Sequence, residues 1–179
     1  MLQKNSNQNR PELKDSLFLG FCAVFIIVTR VTLRLHLKIP GHSMFFTLFF
    51  LFLAKGCVRY RFSATYTGLI AGLIAVVLGL GKGGPLILIK FIMPAIVIDI
   101  SAMLLPGLFG SVFLCAVVGA LASATMFLNT YLIDYLAGMD SELIFTHAVI
   151  KSSSAMVFGV AGSLFIPSVI RKLKAFGVI

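Results

Sequence analysis

The chain has 179 residues, 59% of them hydrophobic and 12% charged, and a formal net charge of +9. Soluble domains carry about 25% charged residues, so this chain lacks the polar groups to cover a water-exposed surface and reads as an all-α, polytopic membrane protein. At about 20 apolar residues per crossing, the length admits about five to seven spans and no water-soluble domain, which excludes enzymes that need a cytosolic catalytic domain.

Residues 1–15, with Lys4, Arg10 and Lys14, form a polar tail, and no small-residue cleavage site follows the first apolar stretch; a cytosolic tail without a signal peptide is expected. Hydropathy then predicts six spans across 16–170. The first runs from Ser16 to Leu33 and stops at RLHLKIPG, Arg34 to Gly41, where Pro40 and Gly41 make a turn pair. The second, Ser43 to Cys57, is short and rich in phenylalanine. It either uses Lys55 as a snorkelling anchor or crosses only part of the bilayer. Arg59 and Arg61 close it, and the third span is Ala64 to Leu80. Gly81 to Pro85 forms a tight loop, Leu86 to Leu105 the fourth span, and Leu108 to Leu132 the fifth, after a break at Pro106 and Gly107. An acidic loop with Asp134, Asp140 and Glu142 leads to the sixth span, Phe145 to Ile170. Arg171, Lys172 and Lys174 open a second cytosolic tail, 171–179. Pro94 and Pro167 fall inside spans and are expected to kink them.

The basic residues orient this arrangement. With the N-terminus inside, the internal segments hold Lys4, Arg10, Lys14, Lys55, Arg59, Arg61, Arg171, Lys172 and Lys174, against Arg34, Lys38 and Lys82 outside. Nine against three places both termini on the cytoplasmic side, and the positive charge then needs no nucleic acid as partner. Cys22, Cys57 and Cys115 are odd in number and read as packing residues rather than a disulfide framework or metal site.

Four spans carry small residues four apart, a spacing that allows close helix approach. They are Ser16, Gly20 and Ala23 on the first; Ala64, Gly68 and Gly72 beside Ala71, Ala75 and Gly79 on the third; Ala116, Ala120 and Ala124 beside Gly119 and Ser123 on the fifth; Ala155, Gly159 and Ser163 on the sixth. Intramolecular packing accounts for most such stripes, and one is free to meet a partner subunit.

Ionisable residues within spans are costly and point to function. Arg30 and Arg34 share a helix face, as do His147 and Lys151, and Lys90 lies about one turn below the outer start of the fourth span. The topology gathers Arg30, Arg34, Lys90, Asn129, His147 and Lys151 into the outer third, beneath loops carrying His36, Lys38, His42 and Lys82. This describes an outward-facing cationic pocket for a small anion such as a carboxylate or phosphate ester. The competing reading is that each cation snorkels to the outer interface, which fits Lys90 and Lys151 least. Asp99 and Lys90 lie on opposite faces of the fourth span. Asp99 is therefore expected to pair with another helix or to sit near the cytoplasmic side, as a structural or partner contact. No nucleotide loop, zinc-ligand spacing or GxSxG serine is present in the sequence, so neither catalysis nor a cofactor nor a metal is expected.

The six-helix plan, IPGHS at Ile39 to Ser43 and GLGKGGP to KFIMPAIVIDI at Gly79 to Ile100 together resemble the substrate-binding S components of energy-coupling factor (ECF) ABC transporters. The resemblance implies capture of a small, vitamin-like solute from outside, tilting in the membrane lipid, and partnership with a transmembrane coupling subunit and cytosolic ATPase subunits. The family's coupling contact is an alanine pair four apart on the first helix, where Ser16 and Gly20 stand here. Its cobalt and nickel members hold the metal with a histidine after the initiator methionine; Leu2 at that position disfavours a metal substrate. The alternatives are a non-transporting six-helix scaffold of an envelope complex and a lipid-handling membrane subunit.

Overall fold

A computed structural model of the chain describes residues 13–36, 41–58, 60–80, 84–105, 107–136 and 138–175, with the side chains of 33–36, 141 and 174 outside that description. All regular structure among these residues is helical: α1 Leu13–His36, α2 His42–Cys57, α3 Ser63–Val77, α4 Ile87–Leu104, α5 Val112–Leu136, α6 Ser141–Leu164 and α7 Ile166–Ala175. Single 3-10 turns at Gly84–Leu86 and Leu108–Gly110 lead into α4 and α5. Four helices, α1, α4, α5 and α6, are long and apolar enough to cross a membrane; α2 and α3 are shorter apolar helices.

The two faces of α3 show what kind of solvent this bundle is built for. Tyr66, Leu69, Leu73 and Val77 form an exposed stripe of large apolar side chains, while Ala64, Thr67, Gly68, Ala71, Gly72 and Ala75 face inward. The helix is sorted by size rather than polarity, as expected where lipid surrounds the bundle and packing drives association. The same apolar coat continues on α1 through Leu17, Phe21, Val24 and Val28, and on α5 through Phe113, Val117, Leu121 and Leu128.

Helix α2 lies at the centre, packed against α1, α3, α4 and α6, and none of its residues is exposed. Its 16 residues span about 24 Å, less than a hydrocarbon core of about 30 Å. A helix enclosed by protein does not have to match that thickness. Gly41, at φ 87°, admits α2 against α6: a Cβ there would lie 2.7 Å from the Ala155 nitrogen. Further along, a Cβ at Gly162 would lie 2.5 Å from the Phe45 carbonyl oxygen. The α3 to α4 contact depends likewise on Gly68, whose Cβ would meet the Phe91 carbonyl oxygen at 2.8 Å. The α5 and α6 stripes interlock through Gly119 with Ser163 and Gly159 with Ser123. The stripes on α3 and α6, and the Gly119 and Ser123 pair on α5, are thus occupied inside the chain, while Ala116, Ala120 and Ala124 are only half-buried.

Several expected boundaries move. Helix α1 starts before Ser16 and continues beyond Leu33 through Arg34 to His36. Helix α5 runs past Leu132 to Leu136 and α6 begins at Ser141, so the expected acidic loop largely disappears: Asp134 lies within α5 and Glu142 in the first turn of α6. Pro167 accompanies a break rather than a kink. Helix α6 ends at Leu164, and α7 is a separate amphipathic helix that continues past the expected boundary at Ile170 to Ala175. It buries Ile166, Pro167 and Ile170 and exposes Ser168, Arg171 and Lys172. A proline ring near a helix start replaces a donor that has no intrahelical partner there, which makes position 167 compatible with a new first turn.

Candidate functional site

Two polar clusters occupy the interior, one at each end of the bundle. The first joins the end of α2, the start of α3 and the second half of α4. Asp99 is 1% exposed, and its carboxylate lies 2.9 Å from Lys55 Nζ. It also accepts hydrogen bonds from the backbone nitrogens of Ala64 at 3.3 Å and Thr65 at 2.7 Å, and from the Thr65 hydroxyl at 2.7 Å. A carboxylate from α4 therefore caps the first turn of α3, where orphan N–H groups and the helix dipole favour negative charge. Lys55 in turn donates to the carbonyl oxygens of Tyr60 and Arg61. Lys55, a snorkelling anchor in one of the two readings of the short second span, makes an ion pair with the buried Asp99 that fastens the α2 to α3 turn.

The second cluster lies where α1 and α5 end and α4 and α6 begin. Lys90, half-buried on α4, is close enough to Arg30 of α1, Lys151 of α6 and Asp134 of α5 to interact electrostatically with all three. Arg30 lies over the ring of Phe91 with its Cζ 4.9 Å from the centroid, a cation–π contact with a fully buried ring. Asp134, 8% exposed, meets His147 Nδ1 at 2.5 Å. Lys90 and Lys151 make no hydrogen bond or ion pair among the described residues. Pro94, one turn beyond Lys90, has no N–H for the Lys90 carbonyl, so the helix ladder opens at the level of the cations.

The polar surroundings come largely from α5. Thr125, Asn129, Thr130 and Asp134 are all buried. Asn129 Nδ2 donates to the Thr125 carbonyl oxygen at 3.1 Å, so this amide is held by its own helix. Ser152 and Ser154 of α6 and His42 at the start of α2 are half-buried. Of the residues the sequence nominated, Arg30, Lys90 and Lys151 come together, and His147 joins them through Asp134. The side chains of Arg34 and His36, and all of Lys38 and Lys82, lie outside the described residues.

Two members of the cluster escape the sequence reading. Asp134 falls in the acidic loop expected between the fifth and sixth spans, although Thr130 one turn earlier carries the helical spacing forward to it. Phe91 has no signal beyond its position next to Lys90. On α1, Ala23 is fully buried in the bundle, whereas Ser16 and Gly20 are half-exposed and a Cβ at Gly20 meets nothing within 4 Å. Among the described residues, no group of three or more His, Cys, Asp or Glu side chains is arranged to hold a metal. Comparison with known families, characterised proteins and solved structures gives no match to the chain.

Proposed function

We propose that the chain crosses a bacterial cytoplasmic membrane six times, with both termini inside, and captures a small anionic, vitamin-like solute as the substrate-binding subunit of an ECF-type importer. The observation that carries this reading is the convergence of Arg30, Lys90 and Lys151, from three helices, on an interior where, among the described residues, Asp134 is the carboxylate that acts on Lys90. A buried charge costs several kcal/mol unless it is paired, and Lys90 and Lys151, which make no hydrogen bond or ion pair among the described residues, are cations that an incoming anion would compensate. The cluster sits at the end of the bundle that the basic-residue asymmetry assigns to the outside, which suits uptake.

The energy source and the coupling subunit are other chains on this reading, with the half-exposed Ser16 and Gly20 as the contact. A scaffold role draws its support from the small-residue stripes, and those of α3 and α6, with Gly119 and Ser123 of α5, are engaged within the chain. The decisive experiment is mass spectrometry of small molecules and protein subunits that co-purify with the chain in mild detergent. An anionic solute retained by the native chain and lost from Lys90→Met and Lys151→Met, with the ATPase and coupling subunits still bound, is the expected result. Retention of the same solute by both variants would overturn the reading.

A further inference from the structure

We infer that the anion captured at Lys90 and Lys151 carries an apolar chain, which lies in a groove between α1 and α6 floored by one face of α2, so that the solute is an amphiphile reaching the site sideways from the outer leaflet. This rests on the anion-capture reading and adds to it the chemical class of the solute. Although no residue of α2 is exposed, the helix is not covered equally on all sides. Phe45, Phe46, Phe49, Phe50 and Leu53 are half-buried, whereas Met44, Thr47, Leu48, Leu51, Phe52 and Ala54 are buried. At about 100° per residue the half-buried set falls on one face, with Phe46, Phe49 and Leu53 between the directions of Phe45 and Phe50. Phe50 turns to α1, where its ring lies 5.6 Å from that of Phe25. Phe45 turns to the end of α6, its ring 6.1 Å from that of Phe165. Phe46, Phe49 and Leu53 therefore look out between α1 and α6.

The surrounding helices leave that direction open. Around α2 they follow in the order α1, α3, α4, α5, α6, each packed on the next, and among the described residues α6 does not pack back on α1 to a comparable extent. The two ends of the groove differ. Toward the cytoplasmic end α7 closes it, with the Ile170 side chain set against Gly56, close to one turn beyond Leu53. At the outer end Gly41, just before α2, lies against Ala155, and Lys151 stands one turn further out on the same face of α6. Arg30 and Lys151, from the two helices that flank the groove, both lie close enough to Lys90 to interact with it electrostatically. From His42 to Leu53 the floor is about 16 Å long. Cations at the outer mouth, aromatic and aliphatic side chains below and a closed inner end complement an anionic head joined to one apolar chain. Leaving lipid for the groove brings that chain packing contacts and no hydrophobic transfer, so the head supplies most of the selectivity.

The chain holds no tryptophan, so Phe49→Trp places a single indole on the floor of the groove, and Leu121→Trp places one on the exposed apolar surface of α5 as a control. Bromine on a bound chain quenches an indole that it touches. In zwitterionic nanodiscs, ω-bromododecyl phosphate is expected to quench the groove indole saturably, at a concentration about tenfold below that needed for ω-bromododecanol. Both probes should quench the control indole alike and without saturation. Lys90→Met or Lys151→Met, added to Phe49→Trp, should remove most of the advantage of the phosphate. Leu53→Trp repeats the measurement one turn deeper, and thermal unfolding checks that each variant is folded. Unsaturated quenching of the groove indole, equal for the two probes, assigns the groove to bulk lipid and overturns the inference. Quenching seen in the isolated chain but lost in the co-purified complex assigns the groove to a helix of a partner subunit and overturns it too. In either case, lysine-dependent calorimetric binding of butyl phosphate, which has the head without the long chain, keeps anion capture. Saturable quenching that is equal for both probes and indifferent to both lysine variants overturns the inference together with anion capture.

Discussion

Asp99 and Lys55 carry opposite charges into a region where neither alone is tolerable, and their mutual distance of 2.9 Å makes the burial possible. Removing one partner of a buried pair strands the other, at a cost of about 3–5 kcal/mol. Lys55→Met is therefore expected to lower the unfolding midpoint in detergent sharply. Adding Asp99→Asn to it should recover part of the loss, since the amide oxygen still accepts from the α3 N–H groups without bringing a charge. A double variant less stable than Lys55→Met would contradict this account. The sequence showed that Asp99 had to find a partner off its own helix, because helix geometry turns it away from Lys90. It did not show which partner, since Lys55 and Asp99 are far apart in sequence and only packing brings them together.

Helix by helix, most of the architecture follows from local pattern. The start of α4 and the extent of α2 match hydropathy to within a residue, because a long apolar run bounded by glycine and proline has few alternatives. The ends of α1 and α5 were read too short, for a different reason. Arg34, His36 and Asp134 are polar, and hydropathy ends a span at polar residues whether or not the helix ends there. The small-residue stripes make a sharper test at this scale. Gly162→Leu and Gly68→Leu place side chains against the carbonyl oxygens of Phe45 and Phe91, and loss of the monodisperse peak on size exclusion is expected for both. Gly20→Leu enters open space, and the isolated chain should keep its melting temperature. If a coupling subunit docks on this face, the same substitution abolishes co-purification of that subunit.

At the scale of the whole molecule, the described interior has an ion pair, Lys55 with Asp99, at one end and Arg30, Lys90 and Lys151 around Asp134 at the other. The proposed orientation puts the second cluster outside. In a variant whose native cysteines are replaced by alanine, Tyr135→Cys should react with a membrane-impermeant maleimide in intact cells. Lys172→Cys should react only after permeabilisation, and the reverse pattern would invert the topology. Both positions are exposed, so labelling reports sidedness rather than packing.

Composition and hydropathy by themselves determined that the chain is helical, apolar on the outside and charged at a few interior points, because each property is local in sequence or a sum over it. Arg30, Lys90 and Lys151 could be nominated in that way, since an ionisable residue inside an apolar run is conspicuous wherever its neighbours lie. The tertiary structure alone decided how those charges are balanced. It set Asp134 against His147 beside Lys90, gave Asp99 to Lys55, and closed the small-residue stripes on one another. Pairing energies depend on distances of a few ångströms between helices, and helical periodicity fixes the face a residue occupies without fixing what stands opposite.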